Sequence, residues 1–483
     1  MRVPLLRQVT MRRALLGVVA LGLTLRGLAF LTSRVSSDAS SFGVMAVSLL
    51  ARGEFVMPLG EYWSDSWAPT YSHHYSPGYP VFLVPFVAIG GFTPWAIKAA
   101  GLVSGVLALL TVGWTTRDLY GPDRALVVTA VAAVDPILVK SAGIGYSENL
   151  LVAFFILTIW AILKSLSRER FIVLAGLFAG LAFLTKGVMG WFFLVAGFAG
   201  LAWRFHFMRW RVFRQTYYLL AIAVFGAFVL LWSFRNLSHF WDGSVAGLLT
   251  AWQSSAYFST AFDESLARPG DLAFILLARI PLYIGFFLFF GGFWARDLRR
   301  APKITDEHYS GLWLAVGLTY VLAWIIAGIL WVHERNPVFW VDQLRYVAVG
   351  TVPLFWLVVK DADLGSVAFR RKLAATLVVL LAVAVLGVSQ PAPGVYTVYD
   401  ALNERVAPGD VVAVDGLLRY EVMLYVGGDV AYVPYAPGVP ADFVITANLS
   451  RVYPGYVLLA TGVTPNTIAG LVPAFDGALW GRP

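Results

Sequence analysis

The chain has 483 residues, 59% of them hydrophobic and only 13% charged, with a mean hydropathy of +0.73. Soluble domains carry about 25% charged residues, so an ordinary soluble enzyme is excluded, and 18 Trp and 21 Tyr suit the interfacial aromatic belts of a polytopic membrane protein. With no Cys there can be no disulfide framework, Cys-ligated zinc, iron–sulfur cluster or thiol nucleophile, and the net charge of +8 lies between apolar spans, not in a nucleic-acid-binding patch.

A membrane-spanning helix needs roughly 20 apolar residues. In chain order the stretches that meet or approach this are 14–32, 96–116, 125–143, 149–165, 171–185, 187–203, 215–234, 272–293, 310–331, 346–359 and 373–389. They predict an α-helical polytopic membrane protein with about eleven spans. The first stretch has a long apolar region and no A-x-A site after it, so it reads as a helix and not as a cleaved signal peptide. Segment 78–92 is apolar but short and holds Pro80 and Pro85, which fits an interfacial or re-entrant position within a large first outer loop, 33–95. The stretch from Ser40 to Arg52 in that loop is amphipathic and predicts a helix.

Charge gives the expected orientation. With Arg2, Arg7, Arg12 and Arg13 inside, the alternate loops carry Arg117 and Arg124, then Lys164, Arg168 and Arg170, then Arg204 to Arg214, Arg296 to Lys303 and Lys360 to Lys372. Each loop placed in the cytoplasm is basic, as the positive-inside rule requires. This orientation puts the first loop and the C-terminus outside, and the expected location is the plasma membrane. Residues 1–390 form the transmembrane module, and Pro391, Pro393 and Gly394 mark its end. Beyond them a helical segment near 396–406 and β-like runs at 411–414, 430–433, 442–446 and 456–460 predict a small extracytoplasmic α/β domain over 391–483.

Ionisable residues in or beside spans are costly and are functional candidates by default. On this orientation Arg26, Lys98, Lys140, Lys186, Arg279 and Arg345 gather toward the outer boundary, with Asp135 among them. Such a layer suits a lipid phosphate; snorkelling and helix-end pairing are the alternatives. Two acids lie at the same depth. Asp38 follows the first span, where an Asp also suits a helix N-cap. Glu148 stands in a short turn before the fourth span, where an acid also suits the helix dipole. Paired carboxylates above a cationic layer point to group transfer from a lipid phosphate, and two acids could also share a divalent cation.

Together these segments resemble the polytopic glycosyltransferases of the GT-C fold that use lipid-phosphate sugars, in particular the branch of protein O-mannosyltransferases and the lipid A aminoarabinose transferase. The matching segments are Asp38 with its following helix, HHYSPGYPVFLVP at 73–85, Ser147-Glu148-Asn149, GLFAGLAFLTKG at 176–187, and Gln343-Leu344-Arg345-Tyr346 with Pro353. The resemblance implies Asp38 as general base and Glu148 as the second acid, holding acceptor, donor or a metal. It implies lipid-phosphate or donor contacts for Lys186, Arg345 and Tyr346, and His73 and His74 either make such contacts or are loop residues. Arg26 joins them through the cationic layer. Ala39 replaces the second acid of the mannosyltransferases, and Ser76 replaces the basic residue before the Pro pair of the aminoarabinose transferase. The sequence specifies no cofactor, a divalent cation is an option, and the implied partners are a polyprenyl-phosphate sugar, a lipid, glycan or protein acceptor and the membrane. Rival classes are a lipid or sugar transporter or flippase, a polysaccharide ligase, and an oligosaccharyltransferase; for the last, no WWD-type motif occurs in 390–483.

The orientation is directly testable because the chain lacks Cys. Cys placed at Ser37 should react with an impermeant maleimide in intact cells, and Cys at Ser167 should not. The reverse pattern would invert the topology.

Overall fold

The computed structural model describes residues 2–60, 67–71, 76–186, 215–240, 243–244, 293–294, 348–388, 394–415, 419–426, 429–446, 449, 451–462 and 477–483. The expected spans 187–203 and 310–331 lie outside the described residues, as do 272–292 of the span 272–293 and His73, His74, Arg279, Arg345 and Tyr346.

The transmembrane part begins with α1 (Arg2–Thr32) and continues, after the first loop, with α4 (Pro94–Tyr120). Thr93 caps α4 by accepting from the Ala96 N–H, and Pro94 sits where a missing N–H costs nothing. Gly121 (φ +87°) turns the chain into α5 (Pro122–Val134), which is followed by α6 (Pro136–Ile144), α7 (Glu148–Ser165), α8 (Phe171–Thr185) and α9 (Thr216–Phe240). Helices α10 (Ala348–Lys360) and α11 (Val367–Val388) close the described bundle. Five of these helices are long and apolar enough to cross a membrane, or six if α5 and α6 form one bent span. Their shared core includes Leu25, Ala29, Leu109, Val131, Leu151, Phe155, Phe355 and Trp356.

The basic loops meet at one end. Lys164 pairs with Asp118 at 2.7 Å, and the Trp160 indole donates to the same carboxylate. Arg124 donates to the Val359 carbonyl at 2.7 Å. Glu148 is at the opposite end of α7, whose 18 residues extend about 27 Å.

In the first loop lie α2 (Ser37–Arg52), β1 (Val56–Met57), β2 (Thr70–Tyr71) and α3 (Gly78–Gly90). The 13 residues of α3 reach only about 20 Å, short of the roughly 30 Å hydrocarbon core. Helices α2 and α3 share a core with Ile97, Leu150 and two residues from far down the chain, Tyr420 and Leu424.

The C-terminal region comprises α12 (Val395–Asn403), β3 (Val411–Asp415), α13 (Arg419–Tyr425), β4 (Ala431–Pro434), β5 (Phe443–Thr446), β6 (Val457–Gly462) and β7 (Gly477–Gly481). The sheet order is β4-β3-β5-β7-β6, with β3 parallel to both β4 and β5 and the last three strands antiparallel. Val395, Val398 and Leu402 of α12 pack on Val412, Val414, Ile445 and Leu479.

The expected single helix over 125–143 is instead two helices, α5 and α6, bent by 53° at Asp135. Proline cannot donate, and it drives the residue before it out of the α region; Asp135 accordingly has ψ 116°. A break inside lipid exposes helix-end carbonyls and N–H groups with no water to satisfy them. The chain supplies its own partners. Arg26 of α1, fully buried, donates to the carbonyls of Ala132 and Ala133 at 3.1 Å each and to that of Gly22. The Asp135 carboxylate accepts from the N–H groups of Ile137 and Leu138 at 2.9 and 3.1 Å, capping α6. The two side chains are also within electrostatic range of each other.

Arg26→Leu should therefore be severely destabilising. Breaking a buried pair by removing one partner costs about 3–5 kcal/mol. Adding Asp135→Asn should recover part of the loss, because Asn still caps and no uncompensated charge remains. Thermal unfolding of the purified protein in detergent checks this, and a double variant no more stable than Arg26→Leu alone would contradict it.

Candidate active site

The bend aims α6 at the end of the bundle away from the basic loops. Two close approaches let it lie there. A Cβ on Gly143 would stand 2.5 Å from the Ala29 carbonyl oxygen, and one on Gly101 would stand 2.6 Å from that of Ala142. Gly145 then ends the helix in the left-handed conformation, φ +79°, where glycine carries no Cβ penalty. Three residues later the chain enters α7 with Glu148 in its first turn, and Asn149 donates from its side chain to the Leu138 carbonyl at 3.0 Å, tying α7 back to α6.

Glu148 is 1% exposed. An isolated carboxylate at that depth would be strongly disfavoured; here Lys186 pairs with it through Oε1. Lys186 is the residue at which α8 stops, and its side chain is 13% exposed. The Leu-Thr-Lys-Gly end of the Gly-rich span thus delivers a cation to the second acid, across 38 residues of sequence.

The Pro-rich motif reaches the same place. The start of α3 lies on the end of α8, where a Cβ on Gly78 would stand 2.7 Å from the Leu184 carbonyl. That approach needs Gly at 78. It brings Tyr79, fully buried, into electrostatic range of Glu148. Phe42 of α2 packs edge-on against the Tyr79 ring, 5.2 Å between centroids.

Asp38 arrives from the other side. Helix α2 begins at Ser37, earlier than the Ser40 expected, and its N-cap is Ser36, whose hydroxyl accepts from the Ala39 N–H. Asp38 is therefore not the cap. It sits half-buried in the first turn, where the helix dipole favours its charge. Ser36 donates its N–H to the Ile144 carbonyl at 3.2 Å, and a Cβ on Gly145 would meet that of Ala39 at 3.2 Å. The helix bearing Asp38 is thereby seated on the turn that delivers Glu148.

Asp38, Glu148 and Lys186 thus share one end of the bundle. Arg26, expected among the donor contacts, donates from its guanidinium to the carbonyls at the α5 end and to that of Gly22. Lys98 lies over the Phe30 ring at 5.0 Å. Among the described residues no three His, Asp or Glu converge as metal ligands, and one Glu148 oxygen is engaged by Lys186, so these two acids alone do not make the six- to eight-oxygen shell of a hard cation. The sequence marks Arg26 and Asp135 by their charge and Asp-Pro at 135–136 as a breaker, and Tyr79 lies within the Pro-rich motif, but nothing in it pairs Arg26 with the break or Tyr79 with Glu148.

Residues 74–233 match the family described as dolichyl-phosphate-mannose-protein mannosyltransferase. A search of the curated proteins by sequence finds no match. Among solved structures, the chain resembles ArnT from Cupriavidus metallidurans bound to undecaprenyl phosphate, with TM-score 0.58 and 15% identity, over 96% of this chain and 97% of that one. It also resembles the Archaeoglobus fulgidus oligosaccharyltransferase in complex with zinc and sulfate, with TM-score 0.53 and 14% identity, over 90% of this chain and 68% of that one. At such identities the likeness is one of fold. The chain is accordingly a polytopic α-helical membrane protein of the GT-C glycosyltransferase fold, with a small α/β sheet at its C-terminus.

Proposed function

We propose that this protein is an inverting glycosyltransferase that moves a hexosyl or pentosyl group from a polyprenyl- or dolichyl-phosphate carrier to an acceptor hydroxyl of a lipid, glycan or protein. The reaction takes place at the extracytoplasmic face of the plasma membrane, with residues 391–483 as a domain on that side. The observation that carries this reading is that the helix bearing Asp38 is seated on the turn before the buried Glu148–Lys186 pair, at the end of the bundle opposite the basic loops. The mannosyltransferase family match and a fold shared with a protein crystallised with undecaprenyl phosphate support the donor class.

The chemistry needs three things: a base for the acceptor hydroxyl, alignment behind the anomeric carbon, and charge to receive the leaving phosphate. The acceptor oxygen forms a bond to the anomeric carbon as the bond from that carbon to the phosphate oxygen breaks. The electron pair leaves with the lipid phosphate, and the proton passes to Asp38. Glu148 holds the Lys186 ammonium at the site, where it faces the phosphate; Arg345, Tyr346, His73 and His74 are further donor contacts in this scheme. A single displacement inverts the anomeric centre. Broken helices also mark transporter sites, but the break at Asp135 is closed on itself by Arg26 and the Asp135 cap, and no cargo group is needed to complete it.

The direct test is incubation of the purified protein with labelled polyprenyl-phosphate sugars, reading which label leaves the lipid. Asp38→Asn should cut turnover by about 10²–10⁴-fold while the thermal midpoint stays near wild type, since Ser36 does the capping. A variant that keeps most of its turnover would remove Asp38 as base.

Lys186 requires a paired design, because Lys186→Gln alone strands a buried Glu148. The double variant Lys186→Gln with Glu148→Gln removes the cation without leaving an unpaired charge. It should bind polyprenyl phosphate about ten- to a hundredfold more weakly, the size of a lost charge-assisted hydrogen bond of roughly 1.5–3 kcal/mol. Equal affinity in a direct binding measurement would make the pair purely structural.

A further inference from the structure

Val35 lies between α1 and α2, three residues before Asp38, and is fully buried. Both of its backbone polar groups are taken by hydroxyls from the C-terminal region. Its N–H donates to Tyr425 Oη at 2.6 Å, and its carbonyl accepts from Tyr396 Oη at 3.0 Å. The two rings meet edge to face, 5.1 Å between centroids, and the Arg34 guanidinium lies over both at 5.3 and 5.7 Å. The far end of the same stretch is held by α13. Tyr420 Oη accepts from the Leu59 N–H and donates to the Gly60 carbonyl, and Arg419 donates to the Leu59 carbonyl at 3.0 Å. The segment carrying Asp38 is therefore gripped at both ends by residues about 360 positions away or more.

The Tyr396 hydroxyl has one proton and two acceptors. The second is Glu421 Oε1, at 2.5 Å. An ionised carboxylate can only accept, so it takes the Tyr396 proton and the Val35 carbonyl loses it. A protonated Glu421 donates to Tyr396 Oη, and Tyr396 then donates to Val35. We propose that Tyr396 and Glu421 are positioning residues for Asp38: a proton on Glu421 turns the Tyr396 hydroxyl onto the Val35 carbonyl and fixes where the helix bearing the base begins. This rests on the reading of Asp38 as the base.

Burial raises the Glu421 carboxyl from its usual value to about 7, with the Tyr396 hydrogen bond pulling the other way. The titratable and charged groups of its surroundings are Tyr396, Tyr399 and Asp400 on α12, Arg419, Tyr420 and Tyr425 on its own helix, and Arg34 on the link, while the packed helix α2 carries Asp38 and Arg52 at its two ends. Arg34 and Asp400 stand 3.9 Å apart and offset each other. An acid whose folded value is raised holds its proton in the folded state after the unfolded chain has lost its own, so the contribution to stability falls as pH rises from about 4.5 through about 7 and is constant beyond. The grip on Val35 holds while folded Glu421 keeps its proton and relaxes as pH rises through about 7.

Amide hydrogen exchange of residues 33–38 in the full chain, in detergent and corrected for intrinsic exchange, reads this directly. Wild-type protection should fall as pH rises through about 7. Glu421→Gln, whose amide donates to Tyr396 at every pH, should remove that fall, and Tyr396→Phe should show the relaxed level throughout. In parallel, with labelled polyprenyl-phosphate mannose as donor, Tyr396→Phe should lower kcat about 10- to 100-fold, the cost of a small misplacement, at unchanged donor KM. Glu421→Gln should flatten the pH profile of kcat near 7. A Glu421→Gln protein with wild-type pH dependence of protection, or a folded Tyr396→Phe protein with wild-type protection, overturns the proposal. If Tyr396→Phe fails to fold, Glu421→Gln decides. Retained turnover in Asp38→Asn would remove the base and leave the exchange result standing.

Discussion

A helix broken inside a membrane must find partners for every backbone group that the break frees, and the arrangement of this protein's site depends on how that is done at Asp135. One guanidinium, from Arg26, serves the carbonyl end of the first half; one carboxylate, from Asp135, serves the N–H end of the second. The cost of burying two charges is met by hydrogen bonds and by each other, the condition under which buried charge is tolerated. The consequence is geometric. The 53° bend lets α6 settle against Ala29 through Gly143, end at Gly145, and offer a turn on which both acids depend: one is in the next helix, the other in a helix docked on the turn from outside.

Around that turn the protein assembles groups from separate lengths of sequence. Lys186 comes from a helix end, Tyr79 from a short interfacial helix, Asp38 from the first loop. Close backbone approach, permitted by Gly78, Gly101 and Gly143, does what large apolar side chains do in a soluble core. In lipid, where helix association gains little from the hydrophobic effect, small residues at interfaces are the general solution. The C-terminal region adds a second layer of constraint, with α12 and α13 holding the first loop at Val35 and at Leu59–Gly60.

Much of the helical frame was legible because a span is defined by composition over some twenty residues, a signal that needs no partner. The helices at 94–120, 148–165, 171–185 and 367–388 are close to the stretches read from hydropathy. The β-runs of the tail were legible from their punctuation, but β7 and α13 were not: β7 is the short GALWG, and α13 is seven residues without a full amphipathic period. The break at Asp135 was written in Asp-Pro but hidden by the hydropathy around it, which averages over the one residue that matters. Asp38 and Glu148 could be named as candidates because each stands alone beside a span. Their partners could not, because no periodicity links Glu148 to Lys186 or Val35 to Tyr396. Arg26 shows the converse: its charge in a span was a sound signal of importance, while its binding partners were decided by a carbonyl pair more than a hundred residues away.

The grip of Tyr425 on Val35 also orders events in time. The two residues are 390 positions apart, and at synthesis rates of about 5–20 residues per second roughly 20–80 seconds separate their emergence. Helix α1 is inserted long before the hydroxyls that hold the residue after it exist. For that interval the segment carrying Asp38 has its local cap but not its brace, which cannot form before α12 and α13 have been made. A ribosome product truncated before α12 could hold its earlier spans in the membrane yet lack the two tyrosines that set the start of α2.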